Sequence, residues 1–128
     1  MALVVHHPMQ YNNKNKRGNG QCAGLPQDIL GLARCPNTWR WKRGAHVVET
    51  KGLTPGTVIA TFNSNGDYHF VKGNHLAHTA LYVSHDDVGI VVIHQHKDID
   101  TIKRHKYYRG ASASYVQNAD NYYVVELK

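Results

Sequence analysis

At 128 residues, with 41% hydrophobic and 19% charged residues, the chain is long enough for one hydrophobic core and has the composition of a globular protein. That balance excludes a disordered chain, and no apolar run approaches membrane-spanning length. Lys and Arg outnumber Asp and Glu by 15 to 9, so a net charge of +6 suits an anionic partner such as nucleic acid, a phospholipid surface or an acidic wall polymer, without choosing among them.

The N-terminus, Met1-Ala2-Leu3-Val4-Val5-His6-His7, has few apolar residues and no positive leader. The expectation is a protein made in the cytoplasm without a signal peptide, or exported without a cleaved one. Two cysteines, Cys22 and Cys35, allow one bridge at most, which is not a disulfide scaffold. Residues 1–17 read as an extended arm and a polar loop. They lead into Gly18-Asn19-Gly20-Gln21-Cys22-Ala23-Gly24, a flexible turn ending on a thiol. A nucleophilic cysteine wants such a place, partly exposed and close to the N–H groups that open a helix. From Leu25 the apolar residues Leu25, Ile29, Leu32 and Ala33 recur at helical spacing, and Pro26 fits a first turn. The spacing predicts a helix over about 26–34, with Cys35 a packing residue at its far end.

The segment Asn37-Thr38-Trp39-Arg40-Trp41-Lys42-Arg43-Gly44 interleaves aromatic and basic residues. The expectation is one Trp in the core and arginines in solvent, with stacking on sugar or base rings as the alternative. Residues 57–62 form a β-branched run that reads as a buried strand, and residues 68–74 as a short irregular connection. His78-Thr79-Ala80-Leu81-Tyr82-Val83 is a strand opening on histidine. Ser84-His85-Asp86-Asp87-Val88-Gly89 is a hairpin turn, and Ile90-Val91-Val92-Ile93-His94-Gln95-His96 the returning strand. A hairpin sets such strand ends side by side, so His78 and His94 can share one end of the sheet. Residues 103–109 read as a basic segment and 122–127 as a last strand. One helix followed by several strands predicts an α+β domain with an antiparallel sheet.

A cysteine near a helix start, a histidine at a strand start and a polar residue on the neighbouring strand form a complete nucleophilic set. The histidine takes the thiol proton and the third group fixes its tautomer. Cysteine attacks an amide carbonyl, backbone N–H groups near Cys22 hold the oxyanion, and water hydrolyses the thioester. No cofactor is needed.

The order Gly20-Gln21-Cys22, Gly56-Thr57-Val58-Ile59-Ala60 and His78-Thr79-Ala80-Leu81-Tyr82 resembles the papain-like cell-wall amidases of the CHAP and NlpC type. More closely, the chain resembles a family of small type VI secretion amidase effectors. The match runs through Gln21-Cys22, Trp41-Lys42-Arg43-Gly44, the strand from Gly56, the histidine-headed strand and Asn121-Tyr122-Tyr123-Val124-Val125, most of residues 18–127. The resemblance implies one papain-like domain over residues 1–128, an N-terminal helix carrying the cysteine on an antiparallel sheet, and hydrolysis of an amide bond in peptidoglycan stem peptides or their cross-links. It also implies injection by the type VI secretion machinery into the periplasm of rival bacteria, a cognate immunity protein in the producer, and neither nucleic-acid binding nor membrane insertion. Cys22 and His78 occupy the nucleophile and base positions. For the third position His94 and Gln95 compete; adjacent strand residues point to opposite faces, and His94 is the expected third residue.

Two other readings compete. His75, His78, His94 and His96 invite a zinc site, although no HExxH helix is present and the expectation is no bound metal. The basic run Lys103-Arg104-His105-Lys106-Tyr107-Tyr108-Arg109 invites an RNA-binding or RNA-cleaving domain, a reading that leaves Cys22 idle.

Overall fold

The protein is described from a computed structural model covering residues 2–68, 77–112 and 114–128. Helix α1 spans Gly24–Leu30. The strands are β1 (Trp41–His46), β2 (Val58–Thr61), β3 (Thr79–His85), β4 (Gly89–His94), β5 (Lys103–Tyr108) and β6 (Tyr122–Leu127). They form one antiparallel sheet in the order β1-β6-β2-β3-β4-β5, so the last strand of the chain slots between the first two. This is the α+β architecture that the segment pattern predicts.

Strand alternation divides the core. Val58 and Ala60 of β2, Leu81 of β3 and Ile93 of β4 pack with Leu25 of α1, Cys35 and Trp41. Their neighbours Ile59, Ala80, Tyr82 and Val92 pack on the other side with Val47, Tyr107 and Tyr122. With both faces covered, β2 is buried at every position, which is why its sequence is a continuous apolar run. The β3–β4 hairpin pairs Leu81 with Ile93 and Tyr82 with Val92. It turns at Asp86, whose Oδ1 accepts the N–H groups of Val88 and Gly89.

Three differences from the sequence reading have physical causes. The helix does not carry the cysteine: α1 begins two residues after Cys22, which lies in the preceding turn. Nor does it reach Arg34. Gly31 leaves helical geometry at φ 82, Cys35 N–H turns back to the Gly31 carbonyl at 2.8 Å, and Leu32 is 60% exposed despite its helical spacing. Finally, the segments containing Trp41 and Lys103 are strands. Both are edge strands, where charged side chains in solvent obscure the apolar alternation that marks a strand. Trp41 is fully buried while Trp39 is 70% exposed, and Arg40 and Arg43 face solvent as expected. His75 and most of the 68–74 connection lie outside the described residues.

The packing predicts a clear contrast. Ile59→Ala, at a fully buried position, should cost about 2–5 kcal/mol in urea unfolding. Leu32→Ala should stay within about 0.5 kcal/mol. Equal losses would contradict the division between core and surface.

Candidate active site

The cysteine sits at the end of a loop whose shape is set by glycines and one asparagine. Gly18 and Gly20 have φ of 60 and 79, conformations that glycine adopts without penalty. Between them, the Asn19 carboxamide oxygen accepts the Gln21 N–H at 3.0 Å. The loop closes on itself through Gly20 N–H to the Arg17 carbonyl at 3.1 Å, and continues into α1 through Gly24 N–H to the Gln21 carbonyl at 3.1 Å. The thiol that emerges is half-buried. Its Sγ lies 3.4 Å from the Tyr68 hydroxyl, which in turn accepts from Thr79 Oγ1 at 2.9 Å. Burial, and then the neighbouring Cys22, hold the Tyr68 hydroxyl well above its ordinary pKa. It therefore stays protonated, and with Thr79 donating to its oxygen its own proton is available to the sulfur.

His78 stands immediately before β3, secured by two bonds to the end of β2: its N–H donates to Thr61 Oγ1 and its carbonyl accepts the Thr61 N–H, both at 3.0 Å. His78 Nε2 lies 2.9 Å from Nδ1 of His94, the last residue of β4. The Tyr107 hydroxyl, from β5, approaches the same His94 nitrogen at 2.9 Å. His105 stacks on His94 with 5.1 Å between ring centroids and an interplanar angle of 13°. Cys22, His78, His94 and Tyr107 all line one cleft of about 440 Å³, with Lys97 and Asp98 also on its wall. A second cleft of about 460 Å³, around Pro8, Met9 and Pro55, holds no cysteine.

The electrostatics of this cleft follow from burial. His78 is 8% exposed and His94 6%. Desolvation, reinforced by the other imidazoles, lowers His78 to about 3 and His94 to about 2. Both rings are neutral at physiological pH, so His78 is a proton acceptor at rest. Cys35 is fully buried, and burial pushes its thiol up to about 12, leaving it an inert packing group.

The structure brings Cys22, His78 and His94 to one cleft. It does not bring Gln95 there. Gln95, the residue after β4, is fully buried, its carboxamide bonded to the backbone of Arg17 and Gln21. Sequence reasoning missed Tyr68 and Tyr107. Tyr107 had a signal, since Lys103, His105 and Tyr107 alternate at strand spacing. Tyr68 had none, because its contact with the thiol spans 46 residues. Among the described residues, no three His, Cys, Asp or Glu side chains are placed to hold a metal ion.

An antiparallel α+β sheet with a cysteine and a paired histidine opening into one cleft defines a small domain with a candidate thiol-based site. Comparison with known proteins gives the family. The sequence model described as domesticated amidase effector 2 matches residues 2–125. A domesticated amidase effector 2 from Ixodes scapularis is 33% identical over 108 residues, covering 84% of this chain and 71% of that protein. A type VI secretion amidase effector 2 protein from Salmonella typhi is 32% identical, covering 98% and 100%. Among solved structures, type 6 secretion amidase effector 2 superposes with a TM-score of 0.82 at 30% identity, over 98% of this chain and 94% of that one. The chain belongs to this amidase effector family.

The buried imidazoles make stability depend on pH. In the unfolded chain histidine titrates near 6.5, while in the folded protein His78 and His94 titrate far lower. Below about pH 6.5 the unfolded chain binds more protons, so stability falls as pH falls, by about 1.4 kcal/mol per pH unit for each such histidine. Urea unfolding at pH 7.5, 6 and 5 should record that decline, and His94→Asn should make it shallower. Stability that stays level from pH 7.5 to 5 would show that the folded pair takes up protons freely.

Proposed function

We propose that the chain is a cysteine-dependent peptidoglycan amidase, one papain-like domain over residues 1–128 that cleaves an amide bond in stem peptides or their cross-links. The observation that carries the reading is the pairing of His78 Nε2 with His94 at the cleft that Cys22 also lines. With Nε2 protonated and donating to His94, the remaining nitrogen of His78, Nδ1, keeps its lone pair and is the atom that takes a proton. The thiol proton passes from Cys22 to His78 Nδ1 as Sγ attacks the amide carbonyl. The same proton is delivered to the leaving amine, and His78 then draws a proton from the water that hydrolyses the thioester. Tyr68 donates to the sulfur, and backbone N–H groups around Cys22 hold the oxyanion. Membership of the amidase effector family supports this chemistry.

The relative from Salmonella typhi, a type VI secretion amidase effector, supports export by the type VI secretion machinery. Action in the periplasm of target bacteria and a cognate immunity protein protecting the producer complete the proposal. Among the described residues no helix is long and apolar enough to cross a membrane. A nucleic-acid reading of the basic segment is not favoured. Lys106 lies 3.5 Å from Asp86 and Arg109 2.7 Å from Asp120, which draws both cations into local ion pairs.

Digestion of purified sacculi, with fragments identified by mass, tests the proposal. Cys22→Ala and His78→Ala should each lower turnover by about 10³-fold or more, and His94→Ala severely, while Cys35→Ala keeps full activity. Tyr68→Phe should slow turnover by about tenfold. Hydrolysis persisting in the Cys22 variant would refute the amidase mechanism. Sacculus adsorption should weaken as salt rises, because exposed contacts such as those of Arg104 are screened.

A further inference from the structure

His94 ends β4 and Gln95 is the residue after it, and the two side chains meet different partners. His94 reaches His78. Gln95 is fully buried, and its carboxamide makes three hydrogen bonds of 2.8 Å to the backbone of the cysteine loop. Oε1 accepts the Arg17 N–H, and the two Nε2 hydrogens go to the carbonyls of Arg17 and Gln21. The first two of these bonds reproduce the way one peptide group meets another across a sheet. The third reaches the residue next to Cys22. Both donors of the amide are used, and one planar group spans a loop whose interior contains two glycines in left-handed conformations.

We propose that Gln95 is the positioning residue for the nucleophile: its carboxamide fixes residues 17–21, and the dipeptide His94-Gln95 thereby sets Cys22 and His78 in register from a single point of the sheet. This rests on the reading of Cys22 as nucleophile. Gln95 touches neither His78 nor the thiol; it acts through the backbone that presents Cys22. Without it the loop keeps its own turns, since Gly20 and Gly24 N–H groups still bond the Arg17 and Gln21 carbonyls. What is lost is the tie between that turn and β4. A displacement of about 1 Å at a reacting atom is enough to slow a reaction by about 10²-fold.

The test compares Gln95→Leu, which keeps the bulk and loses all three bonds, with Gln95→Glu and with Ile59→Ala, a destabilising change in the core on β2. Sacculus hydrolysis gives kcat and KM, and iodoacetamide alkylation reports Cys22 directly, Cys35 being buried. In Gln95→Leu, kcat should fall about 10- to 100-fold with KM within about twofold, and alkylation should slow, while circular dichroism shows a folded protein. Ile59→Ala should keep kcat per folded molecule. Gln95→Glu should be poor at pH 8, where a carboxylate faces two carbonyls, and recover partly toward pH 6 as a protonated carboxyl regains one donor. The positioning role is overturned if Gln95→Leu turns over within twofold of the unmodified protein, or if its loss merely follows the unfolded fraction as in Ile59→Ala. These outcomes are separable from failure of the mechanism itself. A Cys22→Ala variant that still hydrolyses sacculi overturns both readings, whereas an inert Cys22→Ala beside a fully active Gln95→Leu overturns only this one.

Discussion

Two neutral imidazoles that share a hydrogen bond hold one proton between them, and its position decides what the outer ring can do. His78 Nε2 and His94 Nδ1 are 2.9 Å apart. If the proton sits on His94 Nδ1, His78 must carry its own on the other nitrogen and cannot accept one there. The Tyr107 hydroxyl also approaches His94 Nδ1 at 2.9 Å, and burial keeps that hydroxyl protonated by raising its pKa. Of the two tautomers, the one in which His94 Nδ1 has the lone pair places the shared proton on His78 and leaves its far nitrogen basic, and this is the form that the proposed mechanism uses. Stacking of His105 on His94 then holds the ring plane.

In the proposed mechanism the group that orients His78 is an imidazole rather than a carboxylate, and it supplies no counter-charge. Burial makes His78 a reluctant cation. Charge separation in that mechanism is therefore deferred to the attack of the thiol. Tyr68 stands at the other end of the site, beside Cys22. Its ring is held edge-on by Trp41 at 5.0 Å, and its hydroxyl is fixed by Thr79. Trp41 is anchored in turn by its indole N–H to the Pro36 carbonyl at 3.0 Å. The chain of contacts thus runs from an edge strand to the sulfur.

Much of this was legible in the sequence. The central strands announced themselves through β-branched runs. The turn expected over Ser84–Gly89 is shorter, because β3 runs on through His85 and β4 starts at Gly89, but it makes the hairpin that brings His78 and His94 together. Alternation predicted that only one of His94 and Gln95 shares the side of His78, and His94 is the one that bonds it. Less was legible at the margins. Apolar spacing carried the predicted helix past Gly31, because periodicity does not register a single backbone conformation. The edge strands were obscured because strand patterning depends on two contrasting faces, and charges on β1 and β5 blur that contrast. Tyr68 and the ties of Gln95 join residues 46 to 78 positions apart, a distance over which local pattern says nothing.

The same edge charges bear on how the sheet behaves among copies of itself. An open six-stranded sheet has two rims, and each is an invitation to further strand pairing. Here Lys42 and Arg43 occupy one rim and Lys103 and Arg104 the other, so rim-to-rim stacking of two chains would set like charges face to face. Short backbone patches complete the guard. Arg43 N–H is taken by the Gly66 carbonyl, and Arg104 N–H by the Asn12 carboxamide. A domain that left its strand-rich rims bare would be prone to fibrous self-association. In this chain the basic residues that a sequence reading takes for a binding surface also stand against strand pairing between copies.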